Sequence, residues 1–271
     1  MFFKCAEFIG TVQTLFSQEP QSHGGPLGNQ EALQKCLSLT VIFIAFLLAA
    51  ACSPSGNKFQ ISDIQNPSGS TPDKTTDPTP YEVHPLSWET SSKPERRDWT
   101  TYLHDRILNT WSTLLPGSND MHKFCPRYSS LDNNQRANVW AALLSAMSKF
   151  ESSYNPLNRF HEDTMGTDSV TKRPVYSEGL LQLSYQDIRG YPFCEFDWEA
   201  DKKLSDTDPR KTIFDPYKNL DCGAGIMARQ IARKGLIAVS SGPYWSVIKD
   251  GGRYSQIPKI ITMVNELPFC N

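Results

Sequence analysis

Residues Asp132–Pro156 read DNNQRANVWAALLSAMSKFESSYNP, and this stretch decides the fold. Val139, Trp140, Leu143, Leu144, Met147 and Phe150 recur at helical spacing, so the pattern predicts an amphipathic helix over 133–152 with these residues as its buried stripe. Asp132 or Asn133 can cap it, because a short polar side chain there accepts from the first free N–H groups. Glu151 stands four residues after Met147, seven after Leu144 and eleven after Trp140, which puts its carboxyl at the edge of the apolar face in the final turn. A carboxylate held beside apolar side chains loses hydration, and its protonated form gains. That is the condition a general acid needs. A solvated glutamate near a helix end is the plainer alternative.

Outward from this helix the same period continues. Trp99, Tyr102, Leu103, Ile107, Leu108, Trp111, Leu114 and Leu115 predict a helix that Pro116-Gly117 stops. Pro216 to Lys234 reads as a third helix, with proline in its first turn and Leu220, Ala224, Met227 and Ile231 on one face. Ser255 to Leu267 reads as a short last one, entered through Pro258. Alternating β-branched runs are nearly absent. Residues 98–271 are therefore expected to form one mainly α-helical domain with long, irregular loops.

The N-terminal part differs in kind. Leu37 to Ala51, LSLTVIFIAFLLAAA, is the one long apolar run. It is shorter than the about 20 residues a spanning helix needs. With Lys35 before it and three alanines at its end, residues 1–51 read as an N-terminal extension and secretory signal. Residues 1–30 exceed what such a signal needs, so an over-long start is expected. Residues 52–97 are dense in Pro, Ser, Thr, Asp and Lys, without sustained periodicity, and are expected to be a disordered tether. The 271 residues carry 27 Lys and Arg against 29 Asp and Glu. A net charge of −2 gives no reason to expect a nucleic-acid partner.

Of the seven cysteines, Cys5, Cys36 and Cys52 fall in or beside the signal. Cys125, Cys194, Cys222 and Cys270 remain, and in an exported domain four cysteines imply two disulfides. Three connectivities are open. Cys125 with Cys270, tying the domain's front to the chain end, and Cys194 with Cys222 are favoured. No CxxC pair occurs and the five histidines are scattered, so neither a metal site nor a cofactor is expected.

Three fragments carry a family resemblance. Lys149-Phe150-Glu151-Ser152-Ser153-Tyr154-Asn155-Pro156 resembles the first motif of the SLT lytic transglycosylases, a helix ending in Glu-Ser followed by an aromatic, Asn and Pro. Ser177-Glu178-Gly179-Leu180-Leu181-Gln182-Leu183 resembles the second, with Leu181 in place of Met. Asp215-Pro216-Tyr217-Lys218-Asn219-Leu220-Asp221-Cys222-Gly223 is similar to the third. They stand in the family's order, and the resemblance spans roughly Ala137 to Trp245. It implies a lysozyme-like fold and, as substrate, the β-1,4-linked MurNAc–GlcNAc strands of peptidoglycan. Glu151 maps onto the family's catalytic acid, Gly179 and Gln182 onto the floor of the cleft, and Ser177 onto a sugar contact. A glycine at 179 would let the polymer approach the backbone. Asp215 and Asn219 are expected to stabilise the start of the third helix.

The fourth motif departs from the pattern. Where the family has Ala-Tyr-Asn, this chain has Pro243-Tyr244-Trp245. The resemblance puts Tyr244 in the role of the tyrosine that hydrogen-bonds the catalytic Glu; core packing of Tyr244 and Trp245 is the alternative. A transglycosylase uses one carboxyl as acid and then base, whereas a hydrolase ordinarily needs a second carboxylate. Glu162, Asp163 and Asp168, in the loop between the first two motifs, are candidates for it, as in goose-type lysozymes, which share this architecture. Transglycosylation is the expectation and hydrolysis the alternative. His161 and Arg173 in the same loop are candidates for tuning substrate preference.

Two further readings stay open: a non-catalytic peptidoglycan-binding lipoprotein, and a hydrolase for another glucosamine polymer. Leu48-Ala49-Ala50-Ala51-Cys52 resembles the bacterial lipobox, with Ala49 where Leu is usual. That resemblance implies acylation of Cys52 and, in a Gram-negative cell, a lipid anchor on the periplasmic face of the outer membrane, since Ser53 is not an acidic retention signal; a monomer is expected. Ordinary signal cleavage and secretion is the alternative.

Overall fold

The computed structural model describes residues 81–271; the signal segment, Cys52 and the tether up to residue 80 lie outside the described residues. The described part is mainly helical. Its helices are α1 (Arg96–Asn109), α2 (Met121–Phe124), α3 (Asn133–Ser152), α4 (Asp187–Gly190), α5 (Trp198–Asp201), α6 (Pro216–Lys234) and α7 (Ile257–Val264). Between α3 and α4, β1 (Arg159–His161) and β2 (Tyr176–Glu178) pair antiparallel, with Arg159 opposite Glu178, Phe160 opposite Ser177 and His161 opposite Tyr176. Strands of three residues are too short to show an alternating pattern, which is why the sequence reading has none.

The helix α3 starts in a capping box. The Asp132 carboxylate accepts from the Gln135 N–H (3.0 Å) while the Gln135 side chain accepts from the Asp132 N–H (3.1 Å). It does not bury one stripe, as its sequence predicts, but every residue from Ala137 to Ser148. Small residues between the large ones, Ala141, Ala142, Ser145 and Ala146, let neighbours close in on all sides. The helices α1 and α7 both pack on it.

One of these neighbours is the chain segment assigned above to the tether. Among the described residues the packed domain begins by Tyr81, not near residue 98. Asn138, fully buried in α3, accepts from the His84 N–H (2.7 Å) and the Tyr81 hydroxyl (3.1 Å). Ser87 and Ser145 share a hydroxyl hydrogen bond (2.8 Å). Trp88 is fully buried, its indole N–H donating to Thr100 Oγ1 (2.8 Å). The segment is an irregular strap held by α3's polar side chains, a form of order that leaves no period in the sequence.

The helix α1 stops at Asn109, before the predicted Leu115, and a 3₁₀ turn at Ser112–Leu114 follows. The break swings Trp111 toward α6, where its indole and the Arg106 guanidinium both donate to the Asp221 carboxylate (2.7–2.9 Å). The helix α6 has its predicted bounds. Asp215 caps it, accepting from the Tyr217 and Lys218 N–H groups (2.8 and 3.2 Å), with Pro216 in the first turn and Gly235 at φ 68° ending it. The last helix, α7, is shorter than the predicted 255–267. Disulfides join Cys125 to Cys270 and Cys194 to Cys222, the favoured connectivity. The first closes a loop of 145 residues; by chain entropy such a link contributes up to about 5 kcal/mol.

Candidate active site

Glu151 lies in the last turn of α3, and the chain reverses immediately after it. Ser153 and Tyr154 both take left-handed backbone angles (φ 54° and 62°), which cost a non-glycine residue about 1–2 kcal/mol each. Three things offset that cost: the buried Tyr154 ring, its N–H donating to Ser148 O (3.3 Å), and Arg96 Nη2 donating to Tyr154 O (3.2 Å). The reversal therefore fixes where the helix ends. Glu151 Oε1 is buried and has no hydrogen-bond partner. Burial, and secondarily the charge of Glu162, pushes the carboxyl up to about 8. At neutral pH this group is a carboxylic acid with an uncommitted oxygen.

Glu162 follows β1 directly, and its N–H donates to Val175 O (3.0 Å), prolonging the ladder. Strand alternation puts Phe160, Glu162 and Ser177 on one face of the hairpin. There Ser177 Oγ donates to Glu162 Oε1 (2.6 Å), and Phe160 is 59% exposed. The opposite face carries Arg159, whose guanidinium lies 3.3 Å from the Tyr176 ring centroid and pairs with the buried Glu178 (2.9 Å). Ser177 is thus a carboxylate holder in this structure.

The other two acids of the loop do not join Glu162. The Asp163 side chain is 83% exposed and pairs with His161 Nδ1 (2.7 Å). Asp168 is buried, and backbone N–H groups occupy both its oxygens: Val170 (2.7 Å) and Thr171 (2.9 Å) on one, Gln186 (3.0 Å) on the other. It is a loop staple, not a second carboxylate for chemistry. Arg173 faces Asp206 (3.8 Å) and the Trp198 ring, on the pocket that Arg159 and Tyr176 line.

The Gly179–Gln182 turn links α3 to α6. Gly179 has φ 81°, and a Cβ there would stand 2.2 Å from Asn219 Nδ2 and 2.8 Å from Ile213 O. The missing side chain makes room for Asn219 rather than for a polymer. Asn219 accepts from the Leu181 N–H (2.8 Å) and donates to Glu178 O (3.2 Å) and to Ile213 O (3.0 Å), just before the Asp215 cap, so it fastens the turn to the start of its own helix. The Gln182 amide is engaged too, donating to Gly179 O (2.9 Å) and Asn158 O (3.4 Å). Asn158, which the sequence reading passes over, joins the two segments: its side chain donates to Glu151 O (3.4 Å) and its carbonyl accepts from the Gly179 N–H (2.9 Å).

Tyr244 does not hydrogen-bond Glu151. Its hydroxyl donates to Asp187 Oδ2 (2.5 Å), which also accepts from the Ser184 N–H (2.7 Å). Burial, then the Asp187 carboxyl, pushes the Tyr244 hydroxyl well up, and the charge of Glu151 adds to this. Burial likewise raises Asp187. Asp187 is absent from the sequence reading; the signal for it is Ser184-Tyr185-Gln186-Asp187, a Ser-x-x-Asp capping pattern. Trp245 is buried and its indole donates to Leu181 O (2.8 Å), so the departed fourth motif is a support for the turn beneath Glu151.

No family model matches the chain, and no curated protein does. Solved structures of a protein named Bd0314 DslA match it at 29% identity. The wild-type form has a TM-score of 0.57, over 70% of this chain and 100% of that one. Two variants of it, each with a glutamate replaced by glutamine, have TM-scores of 0.55 and 0.57. The two replaced glutamates stand eleven residues apart, the spacing between Glu151 and Glu162 here.

Proposed function

We propose that this chain is an exported, lysozyme-like muramidase of the kind the SLT transglycosylases and goose-type lysozymes represent, cleaving β-1,4 bonds in peptidoglycan glycan strands. The observation that carries the reading is the Glu151 carboxyl: buried, protonated at neutral pH and with an unpartnered oxygen at the end of the core helix. Glu151 donates its proton to the glycosidic oxygen as the bond to the sugar breaks, and the positive charge that grows on the sugar ring is stabilised by a nearby carboxylate. Glu162 is that carboxylate, oriented by Ser177. The two variants of the similar protein, with the same glutamate spacing, support giving both residues a role.

Glu162 also favours hydrolysis over transglycosylation as the second half of the reaction. A second carboxylate can activate water or take the sugar covalently, whereas closure of an anhydro ring needs only Glu151. The Tyr244 hydroxyl, engaged by Asp187, gives no support to the single-acid arrangement that the resemblance implies. An idle peptidoglycan-binding lipoprotein is the less favoured reading, because a buried unpartnered carboxyl is a cost without a use.

Purified sacculi test the proposal. Wild-type protein is expected to release muropeptides, and Glu151→Gln to lose at least about a hundredfold of that activity while remaining folded. Mass spectrometry of the products separates the routes: reducing ends mean hydrolysis, anhydro ends mean transglycosylation. Release at the full rate by folded Glu151→Gln, or none by the wild type, overturns the proposal.

A further inference from the structure

The C-terminal half of α6 and the Gly242–Tyr244 loop border a second cavity, half open to solvent and of about 450 Å³, which the chemistry above does not use. That volume is in the range of small-molecule sites. Arg229, Arg233 and Lys234 supply three cations to its wall, and Tyr191, Pro243 and Tyr244 supply flat surface. The Arg229 guanidinium is set by stacking over the Tyr191 ring (5.3 Å) and by donating to Gly190 O (2.6 Å). Among the described residues none of the three cations is ion-paired. Cations in the last turn complement the helix dipole, which accounts for Arg233 and Lys234 by themselves. It accounts neither for Arg229, a turn earlier, nor for an open space bounded by two tyrosines.

The cavity is joined to the site around Glu151 by a short mechanical path. Tyr244 forms its wall; the adjacent Trp245 holds Leu181 O, and the turn containing Leu181 is tied through Asn158 to Glu151 O. The loop that borders the cavity is thus the one that supports the turn tied to Glu151.

We propose that this cavity is an anion subsite for a carboxylate borne by the glycan strand, engaged while the sugar backbone lies at Glu151. Unpaired guanidinium groups match a carboxylate in charge and in planar, two-point hydrogen bonding. The inference rests on the peptidoglycan reading, in which the muramic residues carry such groups. They have two sources: the free carboxylates of the peptide stem, or the lactyl carboxylate that is bared when the stem is removed.

The test compares stem-bearing strands, stem-stripped strands and carboxylate-free GlcNAc oligomers as substrates for the wild type and for Arg229→Gln/Arg233→Gln. The wild type is expected to prefer carboxylate-bearing strands, and the variant to lose about tenfold of that preference through KM rather than kcat. Preference for stem-bearing strands alone assigns the stem carboxylates; preference shared by stripped strands assigns the lactyl group. Equal use of all three by the wild type, or an unchanged preference in the variant, overturns the subsite while leaving the muramidase reading intact. If the wild type cleaves nothing, the muramidase reading falls and calorimetry decides the subsite. Binding of a disaccharide-tetrapeptide, weakened about tenfold in the variant, then supports it. No binding overturns it.

Discussion

Glu151 illustrates how one side chain couples stability to chemistry. Its carboxyl ordinarily ionises near 4.5, and burial raises it to about 8 in the native protein. Between those values the unfolded chain has released a proton that the native chain keeps. Native stability therefore falls as pH rises through that window, by up to about 1.4 kcal/mol per pH unit, and below pH 4.5 the effect is absent. Glu151→Gln should accordingly unfold at higher denaturant than the wild type at pH 8, by roughly 2–4 kcal/mol, with no gain at pH 4. Equal gains at both values would mean that the carboxyl is not held neutral. Because the charge of Glu162 contributes to the shift, Glu162→Gln should move the Glu151 midpoint down, which carboxyl NMR titration reads directly. The helical spacing made Glu151's position at the edge of the core legible. The pairing of Asp187 with Tyr244 was not, since the two are far apart along the chain and meet only after folding.

At the scale of elements, the turn that carries Gly179 depends on Asn219 in α6 as much as on its own sequence. Gly179→Ala is expected to cost about 1–3 kcal/mol, since the new methyl group meets both Asn219 and the Ile213 carbonyl at a backbone angle suited to glycine. Asn219→Ala should cost about as much, by leaving the Leu181 N–H and two carbonyls short of a partner. Combined, the two changes should cost less than their sum, because removing the amide relieves part of the clash. Denaturant unfolding of the four proteins measures this, and strict additivity would show that the contact is not felt. The two long helices were legible because each declares its start, with Asp132 and Gln135 or with Asp215 and Pro216. The hairpin was not, since its order comes from pairing across the chain.

For the molecule as a whole, the strap from Tyr81 to Glu95 closes the core. Arg96 at its end donates both to Trp88 O (3.0 Å) and to Tyr154 O (3.2 Å), linking the strap to the reversal behind Glu151. A chain beginning at residue 98 lacks this link and the buried Leu86 and Trp88. It should be less stable than one beginning at residue 81 by at least about 3 kcal/mol, read as a lower unfolding midpoint in urea. Equal midpoints would return the strap to the tether.

By itself the sequence determined what periodicity and end signals can encode: a mainly helical domain, its long helices, and a glutamate at the rim of the longest one. It left three cysteine pairings open, and the folded chain joins the favoured one. Tertiary structure alone decided which of three loop acids stands with Glu151, where Tyr244 turns, why residue 179 is glycine and where the packed domain begins. Each of these depends on atoms that are distant along the chain and adjacent in space, and no local pattern records such a meeting.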